Sequence, residues 1–438
     1  MNKKVAFYTL GCKLNFAETS TISRQLTNYG YEKTDFDNKA DLYIINTCSV
    51  TENANKECRR VIRKAKKNAP NSKVIITGCY AQLKPDIVAQ IDGVDMVFGA
   101  NDKFNIPKLI ANNQNNDKIF GCRIDNLEYH SSYSLNDRTR SFLKVQDGCD
   151  YPCTYCTIPL ARGKSRSDSI QNVLKNAMDI ARMGIKEIVL TGVNIGTFID
   201  PNNGKVFLDL IKELEDIEGI ERYRISSIEP NLITRDIISF VKQSKKFMPH
   251  FHIPMQSGSD IILGRMKRRY NKRVYKEKIN LLVDSIPDIC LGADVIVGFP
   301  GESELEFAST TNFIKSLPIS YLHVFSYSER ENTEAINFNE VVNINDRKLR
   351  SKRLRILSNK LKRDFYRSHL GSYRTALFEK ENKYGYIYGF TDNYIRVKVP
   401  FSNDLVQQKL KIKLISFDEE GNVLSEIKQL NKIECTQQ

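Results

Sequence analysis

The chain has 438 residues, of which 41% are hydrophobic and 27% charged, with 66 Lys and Arg against 52 acidic residues and a net charge of +14. Such a composition belongs to a soluble globular protein of about three domains, and apolar runs as short as Leu42–Ile45 and Val295–Phe299 exclude a membrane-spanning helix. The first residues are basic but lack the apolar core and cleavage site of a secretory leader, so a cytoplasmic location is expected.

Ten cysteines in a cytoplasmic chain point to metal or redox chemistry rather than disulfides. The cationic excess suits a polyanionic partner such as nucleic acid.

Up to about residue 125, short apolar runs of strand length alternate with helical patterns. The strands are expected at Val5–Leu10, Asp41–Asn46, Lys73–Thr77 and Asp95–Phe98, with helices at Thr19–Tyr29 and Asn53–Lys67. This alternation predicts an α/β unit with a doubly wound parallel sheet over residues 1–125. Cys12, Cys48 and Cys79 follow the first three of these strands. Parallel strands point one way, so the three thiols should share the carboxyl edge of the sheet, where such folds bind ligands, and could converge on one metal cluster. Chance placement of small buried cysteines is the alternative. Cys58, Cys122, Cys290 and Cys435 follow no such logic and read as ordinary residues.

A second strand–helix series occupies residues 135–368. Its strands are expected at Phe142–Gln146, Glu187–Val193, Tyr223–Ile228, Phe251–Met255, Ala293–Gly298 and Tyr321–Tyr327, with helices such as Asp168–Met183 and Glu304–Leu317 between them. Six repeats fit a full or open α/β barrel, whose working residues sit at the strands' carboxyl ends. After the first strand comes Cys149, with Cys153 and Cys156 at C-x3-C-x2-C spacing and no fourth Cys or His close behind. A [4Fe–4S] cluster normally takes four thiolates, so three would leave one iron open to an outside molecule. A zinc knot or a disulfide loop is the structural alternative. The five histidines (His130, His250, His252, His323 and His369) lack zinc-knot spacing, and His250 and His252 read as core or barrel-end residues.

Polar residues at later strand ends are candidates for cofactor contact: Asn194, Ser226, Glu229, Gln256 and Ser257. Each could equally cap backbone, and Asp294 is as readily structural. Tyr155, between two of the cysteines, would pack on a bound cofactor or shield the cluster. Between Asp346 and Arg367 lie ten Lys or Arg and two Asp, with Leu354, Leu357, Leu361 and Phe365 at helical spacing. This predicts an amphipathic helix with a basic face, either solvated or docking nucleic acid through Lys352, Arg353 and Lys360. From residue 369 to 438 short strands joined by Gly, Asn and Asp turns predict a small β-barrel.

These motifs together resemble the radical S-adenosylmethionine (SAM) methylthiotransferases over essentially the whole chain. Cys156-Thr157-Ile158-Pro159, Arg162-Gly163-Lys164-Ser165-Arg166-Ser167, His252-Ile253-Pro254-Met255-Gln256-Ser257-Gly258-Ser259 and Val297-Gly298-Phe299-Pro300-Gly301-Glu302 carry the resemblance. It implies an N-terminal domain with an auxiliary cluster on Cys12, Cys48 and Cys79, a radical SAM core with its cluster on Cys149, Cys153 and Cys156, and a C-terminal TRAM domain. The implied cofactors are two [4Fe–4S] clusters and SAM. SAM bound at the open iron would give a radical that removes a hydrogen from an adenine C2, and the auxiliary cluster would deliver the methylthio group.

Thr9-Leu10-Gly11-Cys12-Lys13-Leu14-Asn15, with Glu18-Thr19, resembles the branch acting on N6-threonylcarbamoyladenosine at position 37, in the tRNA anticodon stem-loop. A reducing protein such as flavodoxin or ferredoxin is implied as partner, and a monomer is expected. The sister branches act on isopentenyladenosine-37 tRNA or on ribosomal protein S12. A non-enzymatic iron–sulfur RNA-binding protein is the alternative from another class, and turnover of SAM would exclude it. One departure stands out. The family's Arg-x-Gly-Thr-x-Ala reads Arg330-Glu331-Asn332-Thr333-Glu334-Ala335 here, and Asn tolerates the left-handed backbone that Gly would adopt.

Overall fold

The computed structural model describes residues 3–49, 52–112, 117–124, 127–135 and 138–428, so Cys435 lies outside the described residues. Strands β1 (Lys3–Thr9), β2 (Tyr31–Thr34), β3 (Leu42–Thr47), β4 (Lys73–Gly78), β5 (Met96–Phe98) and β6 (Ile119–Phe120) form one parallel sheet ordered β2-β1-β3-β4-β5-β6. The strand period of two splits its side chains between two helical layers. Leu42 and Ile44 pack with Ile22 and Leu26 of the Lys13–Asn28 helix. Tyr43 and Ile45 pack with Val61 and Ile62 of the Glu52–Asn68 helix on the opposite face.

Two strands of this sheet were not expected from the sequence. β2 is a four-residue edge strand of mostly polar residues, and β6 has two residues; neither offers the apolar period that betrays a strand. The cysteines therefore follow β1, β3 and β4 rather than the first three strands. These three are immediate neighbours in the sheet, and the order reverses between β1 and β3.

β7 (Ser132–Tyr133) pairs antiparallel with β8 (Ser141–Lys144). β9 (Gln146–Asp147) and β10 (Arg166–Ser167) pair antiparallel and close the loop that carries Cys149, Cys153 and Cys156. β11 (Glu187–Thr191), β12 (Arg222–Ile225), β13 (His250–His252), β14 (Cys290–Val297) and β15 (Tyr321–Ser326) complete an open barrel with β8. Parallel bridges Tyr223↔Phe247 and Ser227↔His252 join its two sheets. The outward residues of these strands, among them Ile188, Leu190, Tyr223, Ile225, Phe251, Leu291, Ala293, Leu322 and Val324, enter one large core with the surrounding helices. Most alternate positions are polar, among them Glu187, Arg222, Arg224, His250, His252, Asp294, Tyr321 and His323.

β16 (Tyr373–Lys383), β17 (Tyr386–Thr391), β18 (Arg396–Pro400), β19 (Lys409–Phe417) and β20 (Val423–Ile427) close into a five-stranded barrel, consistent with a TRAM domain. It is tied to the larger barrel by buried arginines. Arg222 donates to the carbonyls of Phe390 and Thr375 at 3.1 and 2.7 Å, and Arg224 to those of Asp392 and Thr391 at 2.9 and 2.7 Å.

The basic helix spans Ile344–Arg367. Leu354, Leu357 and Leu361 pack on the large barrel core as their spacing predicts, but not all of the basic residues face water. Arg347 and Arg350 are buried, bonded to Glu329 and Glu302 at 2.6 and 2.8 Å. Among the described residues no helix is long and apolar enough to cross a membrane.

Candidate active site

Cys149, Cys153 and Cys156 sit together in the loop between β9 and β10, each half-buried and none in a disulfide. Backbone N–H groups of Tyr151 and Ile158 point at Cys149 and Cys156 Sγ at 3.4 and 3.5 Å. Arg268 Nη1 donates to Cys153 Sγ at 3.0 Å and is itself held by the Glu229 carboxylate. The loop is pinned from outside by Ala335 N–H on the Thr154 carbonyl at 2.8 Å. Asn332, in that pinning segment, adopts φ +64°, the left-handed backbone anticipated for it.

Burial pushes the Cys156 thiol up to about 12 and also raises Cys149 and Cys153. Three soft sulfur donors approached by N–H groups suit an iron–sulfur cluster. Nearby, both side-chain polar atoms of Asn194 and the Ser226 hydroxyl are buried without a hydrogen-bond partner. Buried polar groups are rarely left so, which fits a polar ligand lying across these strand ends. Gln256 is half-buried in a left-handed backbone, φ +62°. Ser257 turns away: its hydroxyl lies 3.2 Å from Thr310 Oγ1 and accepts from Ser259 N–H, the capping alternative. Tyr155 packs edge-on to Phe299, and its hydroxyl is 3.4 Å from Arg268 Nη1.

Cys12, Cys48 and Cys79 lie at the carboxyl edge of the N-terminal sheet, after β1, β3 and β4. Cys12 precedes the Lys13–Asn28 helix and Cys79 opens the Cys79–Leu83 helix. Gly11 has φ +99°, and a Cβ there would come 2.8 Å from Cys48 Cβ and 3.1 Å from its Sγ. Glycine is what lets the Cys12 and Cys48 loops close on each other. Asn15 staples them, its Nδ2 donating to the carbonyls of Leu10 and Thr47 at 2.8 and 3.0 Å. Burial raises the Cys79 thiol, and the charge of Cys12 adds to it.

A buried ionic seam joins the triads. Arg162, six residues after Cys156, donates to Asn15 Oδ1 at 2.7 Å, Glu18 Oε1 at 3.0 Å and Asp147 Oδ1 at 2.8 Å. Lys103 and Lys144 also reach Glu18, at 2.7 and 3.5 Å. Burial alone would raise Glu18; Arg162, Lys103 and Lys144 overcome it and lower Glu18 to about 2. Lys13, directly after Cys12, is exposed. Desolvation by the surrounding walls, then Arg140, lower it to about 8 although its side chain meets solvent.

Sequence reasoning missed Arg268, Arg162, Glu18 and Asp147. Arg268 lies in the run Lys267-Arg268-Arg269, which reads as a solvated charge patch. Glu18 and Arg162 stand inside recognised motifs, but nothing local reveals that they meet. Cys58 and Cys290 are buried core thiols, both raised to about 12 by burial, as ordinary residues would be.

Comparison with known proteins decides the family. Residues 143–314 match the radical SAM superfamily profile, and residues 4–99 match an uncharacterized protein family, UPF0004. The chain is 38% identical over 423 residues to the threonylcarbamoyladenosine tRNA methylthiotransferase MtaB of Bacillus subtilis, covering 94% of this chain and 93% of the relative. The chain belongs to the MtaB-type radical SAM methylthiotransferases. MtaB of Aquifex aeolicus is 36% identical, over 90% of this chain and 96% of its own. This methylthiotransferase also shares its fold with the radical SAM methyltransferase TsrM of Kitasatospora setae, at a TM-score of 0.56 and 13% identity over 77% of each chain. As a radical SAM enzyme it works with a [4Fe–4S] cluster and SAM.

Proposed function

We propose that this enzyme converts N6-threonylcarbamoyladenosine at position 37 of tRNA into its 2-methylthio derivative, using two [4Fe–4S] clusters and SAM. The observation that carries the reading is the buried seam by which Arg162, six residues after Cys156, meets Asn15 and Glu18 of the helix that follows Cys12, in a chain whose relatives are named for this reaction. Cys149, Cys153 and Cys156 would hold the SAM-binding cluster, and Cys12, Cys48 and Cys79 the auxiliary one. An adenine C2–H is neither acidic nor electrophilic, and the bound clusters and SAM supply the hydrogen abstraction and sulfur donation that no side chain offers.

The protein's own residues bind and orient. Asn194 and Ser226 present unfilled polar atoms to SAM, with Gln256 and Tyr155 beside it. Glu229 acts through Arg268, which it fixes against Cys153; Ser257 shapes the loop. Because hydrogen bonds to cluster sulfurs tune reduction potential, Arg268→Met is expected to make the midpoint potential of that cluster more negative. An EPR-monitored redox titration checks this, and an unchanged midpoint removes the role from Arg268.

The target base must leave the anticodon stack to reach the cleft, and phosphates are held by cations. Lys352 and Lys360 are exposed on the Ile344–Arg367 helix and free to serve; Arg353 is partly committed to Glu304 at 2.9 Å. Charge reversal at Lys352, Arg353 and Lys360 is expected to raise KM for tRNA and flatten its salt dependence. An unaltered salt slope would make this a merely solvated face. A monomer in the cytoplasm, reduced by a flavodoxin- or ferredoxin-like protein, completes the proposal.

Nucleoside mass spectrometry of tRNA from a host lacking the gene, with and without complementation, tests the reaction. Loss and recovery of 2-methylthio-N6-threonylcarbamoyladenosine is expected. Loss of the dimethylallyl derivative or of modified S12 instead would overturn the branch and leave the chemistry standing.

A further inference from the structure

We infer that Lys13 is the residue that reads the carboxylate of the threonylcarbamoyl group, a step that rests on the function proposed above. Lys13 is the first residue of the Lys13–Asn28 helix, directly after Cys12, and its side chain is exposed, within electrostatic reach of the barrel residues Arg140, Asp294 and Arg224. The charged groups that face it are Arg140, Asp294, the Cys12 thiol and Arg224. The cations of the seam and of the adjoining barrel strands are engaged. Arg162, Lys103 and Lys144 surround Glu18. Arg140 reaches Glu379 at 3.2 Å, and Arg224 holds Glu187 at 2.9 Å as well as two carbonyls of the small barrel. Asp294, the acid facing Lys13, is bonded to His252 at 2.9 Å and approached by His323 at 3.4 Å. Among the described residues the Lys13 ammonium has neither an ion pair nor a hydrogen bond. An unpaired, solvent-accessible ammonium directly beside Cys12 is available to a carboxylate that enters there.

The substrate brings one. Threonylcarbamoyl ends in a carboxylate, whereas the dimethylallyl group of the sister reaction is apolar and uncharged. The ureido N–H of the modification can reach adenine N1 and close a six-membered ring. That contact swings the threonyl group to the N1 side of the base, the edge that also carries C2. A carboxylate on that edge lies beside the atom to be functionalised, and therefore beside whatever residue adjoins the auxiliary site. Lys13, next to Cys12, adjoins it. Ammonium and carboxylate would then neutralise each other in the closed complex, a pairing that an apolar N6 substituent cannot supply.

The test is equilibrium binding of two anticodon stem-loops to the full-length reconstituted enzyme, measured by fluorescence anisotropy. One stem-loop carries N6-threonylcarbamoyladenosine and the other its methyl ester, which keeps the shape and removes the charge. The wild-type enzyme is expected to prefer the acid by roughly 10- to 100-fold, the scale of a charge-assisted hydrogen bond. In Lys13→Met that preference collapses toward unity, and Lys13→Arg restores part of it. The acid-to-ester ratio is taken within one preparation, so it depends neither on how completely the clusters are loaded nor on turnover. A Lys13 that merely balanced cluster charge would weaken both stem-loops alike and leave the ratio intact, which overturns the inference. If the wild-type enzyme binds the threonylcarbamoyl stem-loop no better than an unmodified one, the proposed function itself falls.

Discussion

Replacing Cys48 by Ala is expected to leave SAM cleavage running while methylthio transfer stops, whereas Cys153→Ala stops both. The two thiols belong to separate triads, on the N-terminal sheet and on the barrel, so either change removes one site and spares the other. Cys48 follows β3 and packs against the backbone of Gly11, far in sequence from the loop that orders Cys149, Cys153 and Cys156. On the two-cluster proposal each variant should hold about half of the wild-type iron and sulfide. The assay is 5′-deoxyadenosine and methylthio nucleoside measured from the same reaction. Methylthio product from Cys48→Ala would defeat the two-cluster scheme, and SAM cleavage by Cys153→Ala would remove the barrel triad from the role proposed for it.

The second large effect concerns stability. Glu18→Ala leaves Arg162, Lys103 and Lys144 clustered inside the protein without the carboxylate they surround. Stranding buried charge in this way costs about 3–5 kcal/mol, read as a fall in the urea unfolding midpoint at neutral pH. Glu18→Gln keeps the shape and isolates the charge. The pH dependence has a definite sign. Burial would raise the Glu18 carboxyl, but the three cations, Arg162 foremost, hold it at about 2 against an ordinary value of 4.5. A carboxylate depressed on folding contributes fully above about pH 4.5, and that contribution drains away as the pH falls toward 2. Asp147, lowered well below its ordinary value by Arg162 and Lys144 against the opposing effect of burial, adds in the same direction. The wild-type enzyme should therefore lose stability steeply below pH 4.5, and Glu18→Gln should lose less there. Equal acid slopes would show that the seam contributes nothing on folding.

The strands that matter were readable because their outward faces are apolar. Tyr223 and Ile225, and Leu322 and Val324, alternate with polar residues, Ile188-Val189-Leu190 is a continuous apolar run, and the helices between the strands are capped and amphipathic. The polar inner face of Arg222 and Arg224, His250 and His252, and Tyr321 and His323 was not read from the sequence, because parallel strands usually read as continuous apolar runs. That departure is itself the sign of a barrel whose interior holds polar groups instead of packed hydrocarbon. β2 and β6 escaped because short edge strands draw their stability from neighbours rather than from pattern.

Spacing and period are local properties written in the chain, and they marked out the six candidate cysteines, the three-part organisation and the resemblance to the methylthiotransferases. Tertiary structure alone decided that Arg268 aims at Cys153, that Arg162 links Asn15 and Glu18 to Asp147 across the seam, and that Arg347 and Arg350 are anchors rather than free cations. It also left Lys13 unpaired beside Cys12. Each of these depends on which residues, up to 147 positions apart, are brought to hydrogen-bond distance. A charged side chain carries no mark of its partner: the same guanidinium is a solvated surface group or the centre of a buried network, according to what the fold places around it.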